Sequence, residues 1–145
     1  ELNVAGTVGL LEAARSAGVR RVVQASTCAV YGNTERLPVS EDDLPQPLSP
    51  YSATKLAAEH AGQLYTNLYG LDVAALRFFN VYGPRQDPGS AYAAAIPLFV
   101  QALRAGRRPI VFGDGLQTRD FVFVGDIVQA YGLLLKPWLR FIPVL

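Results

Sequence analysis

The chain reads as an α/β protein built on a parallel sheet with helices on both faces. Two observations predict this. Arg21-Val22-Val23-Gln24-Ala25-Ser26 and Asp72-Val73-Ala74-Ala75-Leu76-Arg77-Phe78-Phe79 are short, mostly apolar runs, and they alternate with longer segments of helical periodicity. A strand covered on both faces lacks polar/apolar alternation, and parallel neighbours need a crossover, usually a helix. Half of the 145 residues are apolar, which suffices for a core in one domain or a large part of one.

Asn3 to about Ser16 carries Val4, Leu10, Leu11 and Ala14 at helical spacing and stops before Gly18, a C-terminal signal. The first strand follows and runs into Thr27-Cys28-Ala29-Val30-Tyr31-Gly32. Asn33 to Pro50 holds four prolines and the acids Glu41, Asp42 and Asp43, so it reads as a surface loop. Ser52 to Tyr69 is helical again, with Leu56, Ala57, Leu64, Tyr65 and Leu68 on one broad face and Gly70 as the stop.

Asp72 to Phe79 is the second strand, ending in Asn80-Val81-Tyr82-Gly83-Pro84-Arg85, and Pro84 to Gly89 is a turn-rich connection. Ala91 to Ala105 predicts a third helix, tolerant of Pro97 near its start and ended by Gly106. Pro109 to Phe112 predicts a short strand, Asp114-Gly115 a tight turn and Phe121 to Val124 an extended segment. Asp126 is expected to cap a last helix from Ile127 to about Leu135.

Composition excludes several classes. Net charge is +1, with no basic run or acidic tail, so neither nucleic acid nor a membrane surface is indicated as partner. A single cysteine, Cys28, rules out a disulfide framework, and a single histidine, His60, removes most zinc sites, so no metal is expected. With no signal peptide and no membrane-length apolar run, the reading is a cytoplasmic soluble protein. The chain opens at Glu1-Leu2-Asn3 without Met and closes on an apolar stretch, Lys136 to Leu145, that holds Pro137 and Pro143. Both ends suggest a fragment of a larger domain.

In parallel α/β sheets, ligands sit beyond the carboxyl ends of the strands. Those ends here are Ser26-Thr27 and Asn80-Val81-Tyr82-Gly83, and the helix headed by Tyr51-Ser52-Ala53-Thr54-Lys55 lies between them in sequence. Four residues apart on a helix, the Tyr51 phenol and Lys55 ammonium share a face. An adjacent ammonium stabilises a phenolate and draws its pKa from about 10 toward working pH, which would make Tyr51 a proton shuttle. From this composition a Tyr-x-x-x-Lys spacing is expected by chance about 0.1 times, so the spacing alone is only suggestive; a solvated helix pair is the bland reading. With the Thr27 hydroxyl, three candidate groups converge.

Five motifs occur in order: Asn3-Val4-Ala5-Gly6-Thr7, Ser26 to Gly32, Tyr51 to Lys55, Arg77 to Gln86, and Arg119-Asp120-Phe121-Val122-Phe123-Val124. Together they resemble the extended short-chain dehydrogenase/reductase family, in its nucleotide-sugar epimerase/dehydratase branch, across the chain to about Lys136. The resemblance implies a partial Rossmann-type doubly wound parallel sheet: 1–83 the Rossmann portion, about 84–120 part of a small substrate-binding subdomain, 121–136 a returning helix and 137–145 an atypical tail. It implies NAD as cofactor, with NADP left open, and Thr27, Tyr51 and Lys55 as catalytic triad.

Tyr51 would take the proton of the sugar 4-hydroxyl as hydride passes from C4 to the nicotinamide. Lys55 would bind the nicotinamide ribose and lower the Tyr51 pKa, and Thr27 would hydrogen-bond the sugar oxygen. The keto sugar would then rotate and take hydride back on its other face. Asn3 and Phe79 match positions near the cofactor. Asn80 matches a contact to the substrate diphosphate, Arg119 the arginine that grips it and Gln86 a substrate contact in part of the family. For Phe79 the plain alternative is core packing, and for Arg119 a salt bridge with Asp114 or Asp120. His60, Cys28 and Trp138 are given no role.

The related 4,6-dehydratases resembled here place an Asp-Glu pair after the hydroxyl residue, where this chain has Cys28 and Ala29. That favours 4-epimerisation, and the segment from Arg85 to Pro97 resembles epimerases acting on UDP-N-acetylhexosamines more than strict UDP-galactose enzymes. No glycine-rich pyrophosphate turn follows a strand, so this segment by itself is expected to bind NAD poorly if at all. A dehydratase or reductase on the same sugars, or a non-catalytic scaffold, are the alternatives. The resemblance also implies a homodimer through helices 3–16 and 52–69.

Overall fold

The computed structural model describes residues 2–34, 36–89 and 95–136. A π-helical turn, Leu2–Gly6, leads into α1 (Thr7–Ser16), β1 (Arg21–Thr27), a 3-10 turn (Cys28–Tyr31), α2 (Pro50–Tyr69) and β2 (Asp72–Phe78). Then come β3 (Asn80–Tyr82), α3 (Ala95–Arg104), β4 (Phe121–Phe123) and α4 (Val124–Leu134). Two compact units result. The first holds the described residues up to Phe78 and from Ala130 onward; the second is Phe79–Gln129.

In the first unit β1 and β2 pair in parallel from Arg21 opposite Asp72 to Thr27 opposite Phe78, and α2 is the crossover that a parallel pair requires. Ser49 starts that helix: its hydroxyl accepts from the Ser52 amide and the Ser52 hydroxyl accepts from the Ser49 amide, each at 3.1 Å. Pro50 follows in the first turn, where its missing N–H breaks no helix bond. Gly70 stops the helix in the left-handed conformation, φ 71°.

The helix lies close on the sheet because Gly62 faces β2. A Cβ there would meet Val73 Cγ1 at 2.7 Å. Leu11, Val30, Tyr31, Ala58, Leu71, Leu76 and Leu134 form the buried apolar core of this unit, each fully buried Leu contributing roughly 1.5–3 kcal/mol. Arg21 adds an ion pair with Asp72 at the amino ends of the strands and donates to the Leu134 carbonyl.

In the second unit β3 pairs with β4 in parallel, Asn80 opposite Phe121 to Tyr82 opposite Phe123, and the Tyr82 ring packs against Phe121 and Phe123. Gly83 lets β3 pass under the start of α4, since a Cβ would sit 2.3 Å from Val124 Cγ1.

The α/β class with parallel pairing is as expected, and several details differ. The strand expected to Phe79 ends at Phe78, and Asn80–Tyr82 is a separate strand in a second sheet. The second helix begins two residues earlier than its apolar pattern, because the serine cap and proline set the start. Pro109 to Phe112 is not a strand: no described segment pairs with it, and Ile110 and Phe112 are exposed. Asp126 does not cap the last helix. The β4 chain turns directly into α4 at Val124, leaving Asp126 inside the first turn, where its charge still suits the positive helix end. Of the expected third helix, 95–104 is helical, and 90–94 lies outside the described residues, as does the tail 137–145.

Candidate active site

Thr27 is the last residue of β1 and caps the 3-10 turn that follows, its Oγ1 accepting from the Ala29 amide at 3.2 Å. A hydroxyl oxygen keeps its O–H donor and a second lone pair when it accepts one bond. The proposed contact to a sugar oxygen is therefore compatible with the cap.

Tyr51 lies in the first turn of α2, 52 % exposed. Lys55 is one turn further along the same face, and its Nζ donates to the Ala25 carbonyl at 3.0 Å, two residues before Thr27. The structure thus brings Lys55 to the carboxyl end of β1. An ammonium carries three donors, so two more can serve a ligand. Asn3 is fastened to the same helix start: its Nδ2 donates to Thr54 Oγ1 at 3.2 Å, and that hydroxyl donates to the Tyr51 carbonyl at 2.8 Å.

Phe79, Asn80, Gln86 and Arg119 belong to the second unit. Phe79 is half-buried. The Asn80 amide and its Nδ2 both donate to the Asp120 carbonyl, at 3.0 and 2.9 Å. Arg119 is exposed, donates to its neighbour's carbonyl at Thr118, 2.7 Å away, and has no ion pair with Asp114 or Asp120. That removes the plain salt-bridge reading and leaves most of its fork of donors facing solvent.

Gln86 donates to the Val81 carbonyl at 3.3 Å, while its Oε1 is buried without a partner. It lines an open cavity of about 760 Å³ with Tyr82, Arg85, Ile96, Val100 and Arg104. Two cations, Arg85 and Arg104, beside Tyr82, Ile96 and Val100 give this cavity polar and apolar walls together. Among the described residues no cluster of His, Cys, Asp and Glu could hold a metal ion, and no described helix is long and apolar enough to cross a membrane.

Sequence reasoning missed a buried network behind Lys55. Glu59, one turn further along α2, accepts from the Ser26 hydroxyl and from Arg77, whose Nη2 lies 2.7 Å from Oε2. Arg77 Nη1 donates to the Tyr31 hydroxyl at 2.9 Å. Burial works against the charged guanidinium, but the bonds to Glu59 and Tyr31 outweigh it and hold the Arg77 pKa above its ordinary value. The signal was present: a lone arginine within the apolar run Val73 to Phe78 has to find a partner.

The family model described as the NAD dependent epimerase/dehydratase family matches residues 1–137. A UDP-glucose 4-epimerase of Mycolicibacterium smegmatis is 51 % identical over 131 residues, covering 90 % of this chain and 42 % of that protein. A dTDP-D-glucose 4,6-dehydratase of Homo sapiens is 38 % identical over 135 residues, 93 % of this chain and 37 % of its own. Among solved structures, the UDP-N-acetylglucosamine 4-epimerase of Methanobrevibacter ruminantium, in complex with UDP-N-acetylmuramic acid, superposes with a TM-score of 0.88 at 41 % identity, covering 91 % of this chain and 43 % of that one. The UDP-glucuronic acid 4-epimerase of Bacillus cereus, with UDP-glucuronic acid and NAD, gives a TM-score of 0.80 at 37 % identity, covering 93 % and 42 %. The chain spans less than half the length of each of these proteins.

Proposed function

This chain belongs to the NAD dependent epimerase/dehydratase family, and from that premise we propose that the whole protein is an NAD-dependent nucleotide-sugar 4-epimerase, an isomerase acting on a UDP-hexose or UDP-N-acetylhexosamine. The observation that carries the reading is the Lys55 ammonium anchored at the carboxyl end of β1, one turn from a half-exposed Tyr51 on the same helix face. These groups fit the nicotinamide end of the cofactor: a cation with donors to spare for a ribose, beside a phenol open to substrate. NAD, when bound, supplies a hydride acceptor that takes the hydrogen of sugar C4 and returns it.

Tyr51 removes the 4-hydroxyl proton and gives it back after the keto sugar has turned over. Thr27 holds the same sugar oxygen, Lys55 holds the cofactor ribose, and Asn3 and Phe79 lie beside the cofactor. Asn80, Gln86 and Arg119 receive the nucleotide sugar, Arg119 through the planar fork that suits a diphosphate. Residues 84–120 form the substrate-binding portion. Cys28 and Ala29, in the 3-10 turn after Thr27, supply no acid-base pair for dehydration, which supports epimerisation.

The protein works in the cytoplasm as a homodimer through helices 3–16 and 52–69, which leave Leu10, Leu64 and Leu68 exposed. Sedimentation of the full-length protein at twice the monomer mass is the expected result for that assembly.

The deciding experiment incubates the full-length gene product with UDP-N-acetylglucosamine and UDP-glucose and follows the 4-epimers by NMR, with Tyr51→Phe beside it. Conversion lost in Tyr51→Phe is expected. No epimer of either sugar from protein that carries NAD would overturn the assignment.

A further inference from the structure

Glu59 stands one turn beyond Lys55 and two turns beyond Tyr51 on α2. Arg77 grips its carboxylate with Nε at 3.1 Å from each oxygen and Nη2 at 2.7 Å from Oε2, and the Ser26 hydroxyl donates to Oε1. Ser26 and Arg77 are partners in the register of β1 and β2. One helical carboxylate is therefore bonded to both strands at the same level. Arg77 continues to Tyr31, by the 2.9 Å bond to its hydroxyl and by a guanidinium carbon 4.8 Å from the ring centroid. Tyr31 closes the turn that begins after Thr27.

The two side chains of the ion pair are 11 % and 10 % exposed. A buried pair of this kind is a poor source of stability, since well-packed apolar residues of similar volume hold two layers together as well or better. What apolar packing lacks is direction. A forked, two-oxygen contact fixes how far α2 is slid along the strands, whereas the Lys55 bond to Ala25 is a single contact on a flexible stem.

We propose that Glu59 is a positioning residue, whose bonds to Ser26 and Arg77 set the height of Tyr51 and Lys55 over the end of β1. This rests on the reading of Tyr51 and Lys55 given under Proposed function. A displacement of 1 Å at a reacting group can lower a rate by about 10²-fold, so looseness of the helix is felt in turnover more than in binding.

The test uses the full-length protein and two variants, Glu59→Gln, which weakens the fork while keeping its shape, and Ser26→Ala, which frees one strand and leaves the ion pair whole. KM, kcat, melting temperature and the absorbance of reduced nicotinamide on adding the UDP-sugar are measured for each. The expected result is kcat lowered at least about tenfold in Glu59→Gln and about threefold in Ser26→Ala, with KM within about threefold and less reduced nicotinamide formed. A lower melting temperature with wild-type kcat in the folded protein would assign the network to stability alone and overturn the proposal. If Glu59→Gln does not fold, Ser26→Ala decides, and wild-type kcat there overturns it equally. A wild-type protein that carries NAD and forms no epimer removes the epimerase reading and this proposal with it. Active wild type with an unaffected Glu59→Gln removes only the proposal.

Discussion

The Lys55 ammonium donates to the Ala25 carbonyl across 3.0 Å, which ties the cation one turn from Tyr51 to the strand that ends at Thr27. A single hydrogen bond from a charged group contributes about 1.5–3 kcal/mol at most sites and less where it is open to solvent, so Lys55→Met should fold. Its kcat for epimerisation by the full-length protein is expected to fall by about 10²-fold or more, and its affinity for NAD to weaken. Lys55→Arg should not restore the rate, because a planar fork does not occupy the place of a compact ammonium. Steady-state kinetics and a cofactor titration check both. Near-normal kcat in Lys55→Met would speak against its assigned role.

Gly62 gives a test of packing with an informative sign. In an exposed helix interior Gly→Ala stabilises by about 1 kcal/mol. Here the added Cβ meets Val73 Cγ1 at 2.7 Å and Gln24 Nε2 at 3.1 Å, and overpacking typically costs about 1–3 kcal/mol. Gly62→Ala is therefore expected to be neutral to destabilising, and Gly62→Val clearly destabilising, by urea denaturation. A stabilised Gly62→Ala would mean that α2 stands further from β2 than the structure has it.

Much of this fold was legible because its signals are local. Apolar runs bounded by glycine marked β1 and β2, and Gly18, Gly70 and Gly106 marked three helix ends, all three with positive φ. The misreadings involve information outside the segment. Pro109 to Phe112 has the apolar run of a strand, but a strand also needs a partner, which no described segment provides. Asp126 has the composition of a cap, yet β4 turns into the helix two residues before it. The site divides similarly. Tyr51 and Lys55 were visible through their spacing, while Glu59 and Ser26, 33 residues apart, meet only when α2 lies on the sheet.

The start of α2 should be separable from its body. Ser49 and Ser52 exchange caps at 3.1 Å, and loss of an N-cap serine typically costs about 1 kcal/mol. Ser49→Ala is expected to destabilise by about that amount in urea denaturation. Because Tyr51 sits in this first turn, fraying there should also lower kcat more than KM. Ser49→Asp, which keeps a capping oxygen, should recover most of both.

Glu12 on α1 links stability to acid pH. Its carboxylate takes the Arg15 guanidinium, with Nη2 at 2.5 Å, and the Tyr65 hydroxyl of α2 at 3.1 Å. The Arg15 bond holds its pKa below the ordinary 4.5; desolvation opposes that, and Tyr65 assists. A carboxyl whose folded pKa is depressed binds fewer protons folded than unfolded, so its contribution is present above the unfolded value and is lost as pH falls through the folded one. Tyr65 has the opposite shift, raised above 10.0 by desolvation first and by Glu12 next, so its share is present below that value and lost as pH rises through the folded one. The Glu12–Tyr65 contact therefore stabilises the α1–α2 pairing between these limits. Glu12→Gln should be less stable than wild type near pH 7 and should converge with it as the pH drops below the usual carboxylate range. Because the pair is exposed, added salt should narrow the gap at neutral pH. Denaturation midpoints measured across pH at two salt concentrations check this; a gap that persists undiminished in strong acid would exclude the carboxylate charge as its source.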